Sequence, residues 1–127
     1  MGGYPIRTSV EHRDGVTVLV VGGEIDMASA PTLESAVAGV LAEDALALVI
    51  DLSEVRFLAS VGLSILVAAR EKIGEPGRFA VAAQGPLISR IIQLVNLDEL
   101  LSLHETLEDA LLAVTGSKPG SDATPTA

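Results

Sequence analysis

The sequence predicts an α/β domain: a mostly parallel sheet of four to five strands, an antiparallel edge strand at the N-terminal end, and about four helices. Three observations predict it. Two short runs, Ala45-Leu46-Ala47-Leu48-Val49-Ile50 and Phe79-Ala80-Val81-Ala82-Ala83, are apolar at every position, as expected of strands covered on both faces. Segments with apolar residues at helical spacing stand between and after them. Asp14-Gly15, a dipeptide of tight hairpins, separates residues 6–13 from the β-branched run Val16–Val21. Strands alternating with helices in this way imply right-handed parallel crossovers.

The elements follow in order. Residues 6–13 mix charge with apolar side chains, which suits an edge strand that must discourage foreign pairing. Val16–Val21 is its antiparallel neighbour, and Gly22-Gly23-Glu24-Ile25-Asp26 reads as the exit from that strand. A helix then opens near Ser29-Ala30-Pro31, since proline is tolerated in a first turn. Leu33, Ala36, Val37, Val40 and Leu41 give it one apolar stripe. After the strand at 45–50 comes a tight connection and a helix with Ser60 read as its N-cap, because a serine hydroxyl accepts an N–H that the first turn leaves unpaired. Gly74 stops this helix, and Glu75-Pro76-Gly77 makes the turn.

The strand at 79–83 precedes a helix opened by Pro86, with Leu87, Ile88, Ile91, Ile92 and Val95, and Asn96 ends it in the left-handed conformation. Leu100–Leu103 reads as a short strand. Thr106-x-x-Asp109 resembles a capping box before Ala110, Leu111, Leu112 and Val114. Residues 1–114 are thus expected to form one domain. Residues 115–127, rich in Gly, Ser, Pro, Thr and Ala, cannot bury enough to offset their ordering entropy and are expected to be a disordered tail.

Composition excludes several classes of function. The chain of 127 residues has no cysteine, so disulfides, thiol catalysis and cysteine-held zinc are out. One Tyr, two Phe and no Trp leave little for stacking bases or sugars. The net charge of −9 gains nothing from counterion release on nucleic acid and is repelled by anionic membranes. No apolar run reaches the ~20 residues that span a bilayer. The first fifteen residues lack the apolar stretch of a signal peptide, and Ile6 stands where a myristoylation signal needs Ser or Thr. A cytoplasmic protein, without membrane insertion or nucleic acid partner, is expected.

Catalytic constellations are wanting. His12 and His104 have no His or Cys at ligand spacing, so no metal site is expected. There is neither GxGxxG nor GxxxxGK[ST], so no phosphate-cradling loop and no cofactor are expected. Around Ser60, Leu58-Ala59-Ser60-Val61-Gly62 supplies only the second glycine of a nucleophile elbow. Glu24 and Asp26 at a strand exit have a plain reading as a solvated turn. What remains is a hydroxyl, a glycine and several aliphatic side chains gathered at one element end. That is the composition of a docking surface with one modifiable atom. On spacing alone, the simpler reading, a cap at Ser60 and a close helix contact at Gly62, is the favoured one.

Two longer motifs add to this reading. Gly23-Glu24-Ile25-Asp26 followed by Ala30-Pro31-Thr32-Leu33, and Val49-Ile50-Asp51-Leu52-Ser53 followed by Phe57-Leu58-Ala59-Ser60-Val61-Gly62-Leu63, resemble segments of STAS domains of the bacterial anti-sigma factor antagonist family. The similarity covers roughly residues 6 to 114 and includes the order of elements. It implies a switch protein, not an enzyme. In that family an anti-sigma factor, itself a serine kinase with an ATP-binding fold, phosphorylates a Ser or Thr at the start of the second helix. The unphosphorylated form binds the kinase and frees a sigma factor, and a serine phosphatase resets the cycle. By position the resemblance makes Ser60 the phosphoacceptor. It makes Glu24, Asp26, Leu58, Ala59, Ser60, Val61, Gly62 and Leu63 the partner-binding residues. The family usually has Asp directly before the acceptor and Ser or Thr directly after. Here these positions are Ala59 and Val61. A second reading keeps the fold and changes the partner: an STAS subunit of a lipid or solute transport assembly, docking on an ATPase. Oligomeric state is not encoded in any of these motifs.

Overall fold

The computed structural model describes residues 3–43, 47–75 and 77–115. The chain runs β1 (Arg7–Arg13), β2 (Val16–Ile25), α1 (Ala30–Ala42), β3 (Leu48–Leu58), α2 (Ser60–Ile73), β4 (Phe79–Ala82), α3 (Pro86–Leu94), β5 (Leu103–His104) and α4 (Leu107–Thr115). The sheet has five strands in the order β1-β2-β3-β4-β5. β1 pairs antiparallel with β2, and the other neighbours are parallel. The mixed sheet with one antiparallel edge is as the sequence predicts.

Period-two alternation sorts the inner strands between two apolar layers. Leu19, Val21, Leu48, Ile50, Leu52, Phe79 and Val81 pack with Leu33, Val37 and Val40 of α1, Leu63, Ile65, Leu66 and Ala69 of α2, and Ile88 and Ile92 of α3. On the opposite face Val16, Val18, Val49, Ala80 and Ala82 meet only Ala110 and Val114 of α4 among the buried helical side chains described. Leucine and isoleucine therefore fill the thick layer, while alanines lie beneath the single helix. All seven residues of β1 are exposed.

Punctuation by turn residues is as expected at several points. Asp14 and Gly15 turn with φ of 52° and 84°, the double positive φ that joins twisted strands. Gly74 closes α2 at φ 79°, and Asn96 follows α3 at φ 61°. The Asp109 N–H donates to the Thr106 hydroxyl at 3.0 Å.

Several boundaries differ from the sequence reading. Gly22-Gly23 does not end β2, which continues to Ile25 alongside β3, with register irregularities between Val20 and Gly22 and between Gly23 and Glu24. The reason is tertiary. Gly23 sits at φ 89°, where a Cβ would collide with the Pro5 carbonyl, so an N-terminal segment crosses directly over it. β3 likewise runs on to Leu58, past the apolar run, with Glu54 and Arg56 exposed. The last strand is not Leu100–Leu103 but Leu103–His104. Leu101 is buried in a turn whose N–H donates to the Leu97 carbonyl at 2.9 Å, and Ser102 takes φ 52°. Thr115 closes α4 instead of opening a tail. The rest of the expected tail (116–127), Asp44 and the start of the apolar run at 45–46, and Pro76 of the expected turn lie outside the described residues.

Candidate functional site

The C-terminal ends of β2 and β3 lie side by side, with Glu24 opposite Phe57 and Ile25 opposite Leu58. Each strand passes at this edge into a helix, so the loop at 26–29 and the tip of α2 become neighbours. One backbone bond ties them: Ala59 N–H donates to the Ile25 carbonyl at 2.9 Å.

Ala59 is the N-cap of α2, in place of Ser60. It is extended (φ −81°, ψ 166°), and its carbonyl accepts the N–H of Gly62 at 2.9 Å and of Leu63 at 3.3 Å. Ser60 is the first helical residue. The shift follows from the tie to Ile25, which holds Ala59 in the strand conformation and lets helical geometry begin one residue later. As a consequence the Ser60 hydroxyl has no capping duty. The residue is exposed, and among the described residues no hydrogen-bond partner is found for its Oγ. The Ser64 hydroxyl one turn on donates to the Ser60 carbonyl at 3.3 Å.

Below the tip the candidate residues form a floor. Leu58, Gly62 and Leu63 are buried within the protein's own core. A Cβ on Gly62 would stand 2.6 Å from Leu58 Cδ1 and 2.7 Å from Ile25 Cγ2, so only glycine lets α2 approach the strand ends this closely. Ala59 and Val61 are half-buried. Of the residues singled out along this segment, then, Ser60 faces outward with Ala59 and Val61 beside it, while Leu58, Gly62 and Leu63 position them.

Asp26 and Glu24 adjoin the tip but are partly spoken for. Asp26 Oδ1 accepts the Ser29 N–H at 3.0 Å, and the Asp26 N–H donates to the Ser29 hydroxyl at 2.9 Å. That hydroxyl donates in turn to the Glu24 carbonyl at 2.9 Å. The reciprocal pair fixes the loop, so Asp26 is a turn former whether or not it also meets a partner. Ser29 was not legible as its counterpart, although Asp-x-x-Ser before a helix is a local signal for such a pair. Glu24 is half-buried, and its N–H donates to the Tyr4 carbonyl at 2.8 Å. Tyr4, Met27 and Phe57, all exposed at this edge, also escaped the sequence reading as contact residues.

The histidines lie apart from this edge and from each other. His12 is exposed, with Nε2 3.7 Å from Glu43 Oε1. His104 is half-buried rather than on the surface, with Nε2 3.1 Å from Ser102 Oγ. Among the described residues no group of three His, Cys, Asp or Glu is placed to hold a metal ion, and no helix is long and apolar enough to cross a membrane.

A mostly parallel sheet with an antiparallel edge, and a helix that opens on an exposed serine after its third strand, place the chain in a class of small α/β domains. The STAS domain family model matches residues 7–110, and the chain belongs to that family. It is 49% identical over 113 residues to the anti-sigma-F factor antagonist RsfB of Mycobacterium tuberculosis, covering 89% of this chain and 93% of that protein. The crystal structure of an anti-sigma factor antagonist from Mycobacterium paratuberculosis is similar at TM-score 0.82 and 54% identity, over 87% of this chain and 94% of the other. The unphosphorylated form of the antagonist SpoIIAA shares the fold at TM-score 0.68 and 16% identity, over 87% of this chain and 97% of that one.

Proposed function

We propose that this chain is an anti-sigma factor antagonist whose Ser60 is the phosphoacceptor of a partner switch. Unphosphorylated, it covers an anti-sigma factor of the serine-kinase type and so frees a sigma factor. Phosphorylation of Ser60 ends the contact, and a serine phosphatase restores it. The chain acts as a binding module in the cytoplasm, without cofactor or catalysis of its own, and residues 1–114 are its working domain.

The single observation that carries this reading is the state of the Ser60 hydroxyl. It is exposed at a helix start, without a hydrogen-bond partner among the described residues, above an apolar floor. A hydroxyl needed for capping would be occupied; this one is available to a kinase. The names of the two relatives near half identity support the choice of an anti-sigma factor over a transport ATPase as the partner.

The physics gives the switch its sign. A phosphate adds about −1.5 to −2 charge. At the α2 N-terminus the helix dipole favours it by only ~0.3–1 kcal/mol. Covering that charge with an unpaired partner surface costs several kcal/mol, and ~1.4 kcal/mol is tenfold in affinity. Repulsion therefore wins in the complex while the domain itself stays folded.

The test is incubation with candidate anti-sigma kinases and ATP, read by intact mass and peptide mapping. One added phosphate on Ser60, absent from Ser60→Ala, is the expected result. Phosphate elsewhere, or none with every candidate kinase, overturns the assignment.

A further inference from the structure

Residues of the types that anchor protein interfaces are scarce in this chain, and their placement is uneven. There is one Tyr, no Trp, and two each of Phe and Met. Of these, Phe79 is core and Met1 lies outside the described residues. Tyr4, Met27 and Phe57 are 50%, 78% and 49% exposed, and all three stand at the edge that carries Ser60. Their proximity follows from backbone links already described. Tyr4 O accepts the Glu24 N–H at 2.8 Å. Glu24 is the register partner of Phe57. Met27 lies in the loop after Ile25, whose carbonyl holds Ala59. The Arg56 guanidinium lies 4.2 Å from the centre of the Tyr4 ring. Beside Tyr4 and Arg56 opens a cleft of about 570 Å³ that Gln84 and Leu87 also line.

We infer that Tyr4, Met27 and Phe57, with Arg56 stacked on Tyr4, form the anchor cluster of the docking surface, extending it from the Ser60 tip onto the N-terminal segment. The inference rests on the reading of Ser60 as a site covered by an anti-sigma factor. Large apolar side chains exposed together at one edge mark an interaction surface, whereas single ones scattered elsewhere on the molecule are ordinary. Tyr, Phe, Met and Arg are the types enriched at the buried centres of interfaces, and Tyr and Arg recur among residues that dominate binding energy. The occupant is therefore the protein that covers Ser60. It presents apolar pockets to the two rings and the thioether, and a carboxylate to Arg56, which is exposed.

The arrangement also accounts for Gly22-Gly23, which the Ser60 switch leaves unexplained. Gly23, at φ 89° beneath the Pro5 and Tyr4 carbonyls, is the seat over which the N-terminal segment passes. A Cβ on Gly22 would meet Arg7, whose guanidinium pairs with Glu54 at 2.8 Å. The double glycine sets Tyr4 where Arg56 can reach it.

The experiment is calorimetric titration of the full unphosphorylated chain with a purified anti-sigma-F factor. Tyr4→Ala and Phe57→Ala are each expected to weaken binding tenfold or more, and Met27→Ala severalfold. Tyr4→Phe, which keeps the ring, and Leu112→Ala, whose side chain is 62% exposed on α4, are expected to bind like the parent. Thermal melting of each variant, expected within a few degrees of the parent, separates lost contact from lost fold. If the alanine variants bind like the parent while Ser60→Asp does not, the cluster is refuted and the Ser60 reading stands. If parent and Ser60→Asp give the same titration, the Ser60 reading falls and the cluster with it.

Discussion

Replacing Gly62 by Ala opposes two well-sized effects. In a solvent-facing helix the change would stabilise, because glycine costs about 1 kcal/mol relative to alanine in a helix interior. Here the new methyl would lie 2.6 Å from Leu58 Cδ1 and 2.7 Å from Ile25 Cγ2. Those side chains are 3% and 0% exposed and have no free volume to retreat into. Forcing a methyl into a packed core costs typically ~1–3 kcal/mol, and two aliphatic collisions place the cost toward the upper end. The expected net loss is about 1–2 kcal/mol, or roughly 3–10 °C in Tm for a domain of this size. Gly39 supplies the internal control. It lies within α1, and a Cβ there meets nothing within 4 Å, so Gly39→Ala is expected to gain ~0.5–1 kcal/mol. Urea unfolding of both variants measures the contrast. A Gly62→Ala protein as stable as Gly39→Ala would refute the claim that glycine is required for the approach of α2 to β2 and β3.

Three further outcomes are expected. Ser60→Asp leaves the urea midpoint near that of the parent, because the residue is exposed and acid at a helix start is favoured by ~0.3–1 kcal/mol, yet it lowers affinity for the anti-sigma factor tenfold or more by calorimetry. Ser29→Ala removes the acceptor of the Asp26 N–H and the donor to the Glu24 carbonyl, and it lowers stability by ~1–2 kcal/mol in the same urea assay. Gly23→Ala places a side chain at φ 89° against the Pro5 carbonyl. It is expected to lower stability by ~1–3 kcal/mol and to raise amide exchange at Glu24, whose N–H is held by Tyr4.

Local chemistry was legible and long-range packing was not. Asp14-Gly15, Gly74, Asn96 and Thr106 declare themselves because their backbone demands are met by adjacent residues. The parallel sheet was legible because strands apolar on both faces have few other homes. Gly22-Gly23 misled because what they accommodate is Pro5 and Arg7, remote in sequence and adjacent only after β1 folds back. The helix start misled by one residue because a bond across to Ile25 outweighs the capping preference of Ser60. At the site, the segment from Leu58 to Leu63 was legible as a unit, but periodicity could not say that Leu58 and Leu63 turn inward while Ser60 turns out. The exposed Tyr4 and Met27 belong to no periodic pattern at all.

The exposure of β1 has a consequence for the strand behind it. β2 is buried along nearly its whole length, and among the described residues β1 is its only strand neighbour on that side. β1 thus acts as insulation: its backbone pairs with the amide row of an otherwise sticky ribbon, and its Arg7, Glu11 and Arg13 turn charge toward water. Peeling this outer strand away would bare Val16–Ile25 to any passing chain, so self-association of the protein should begin with detachment of β1 rather than with global unfolding.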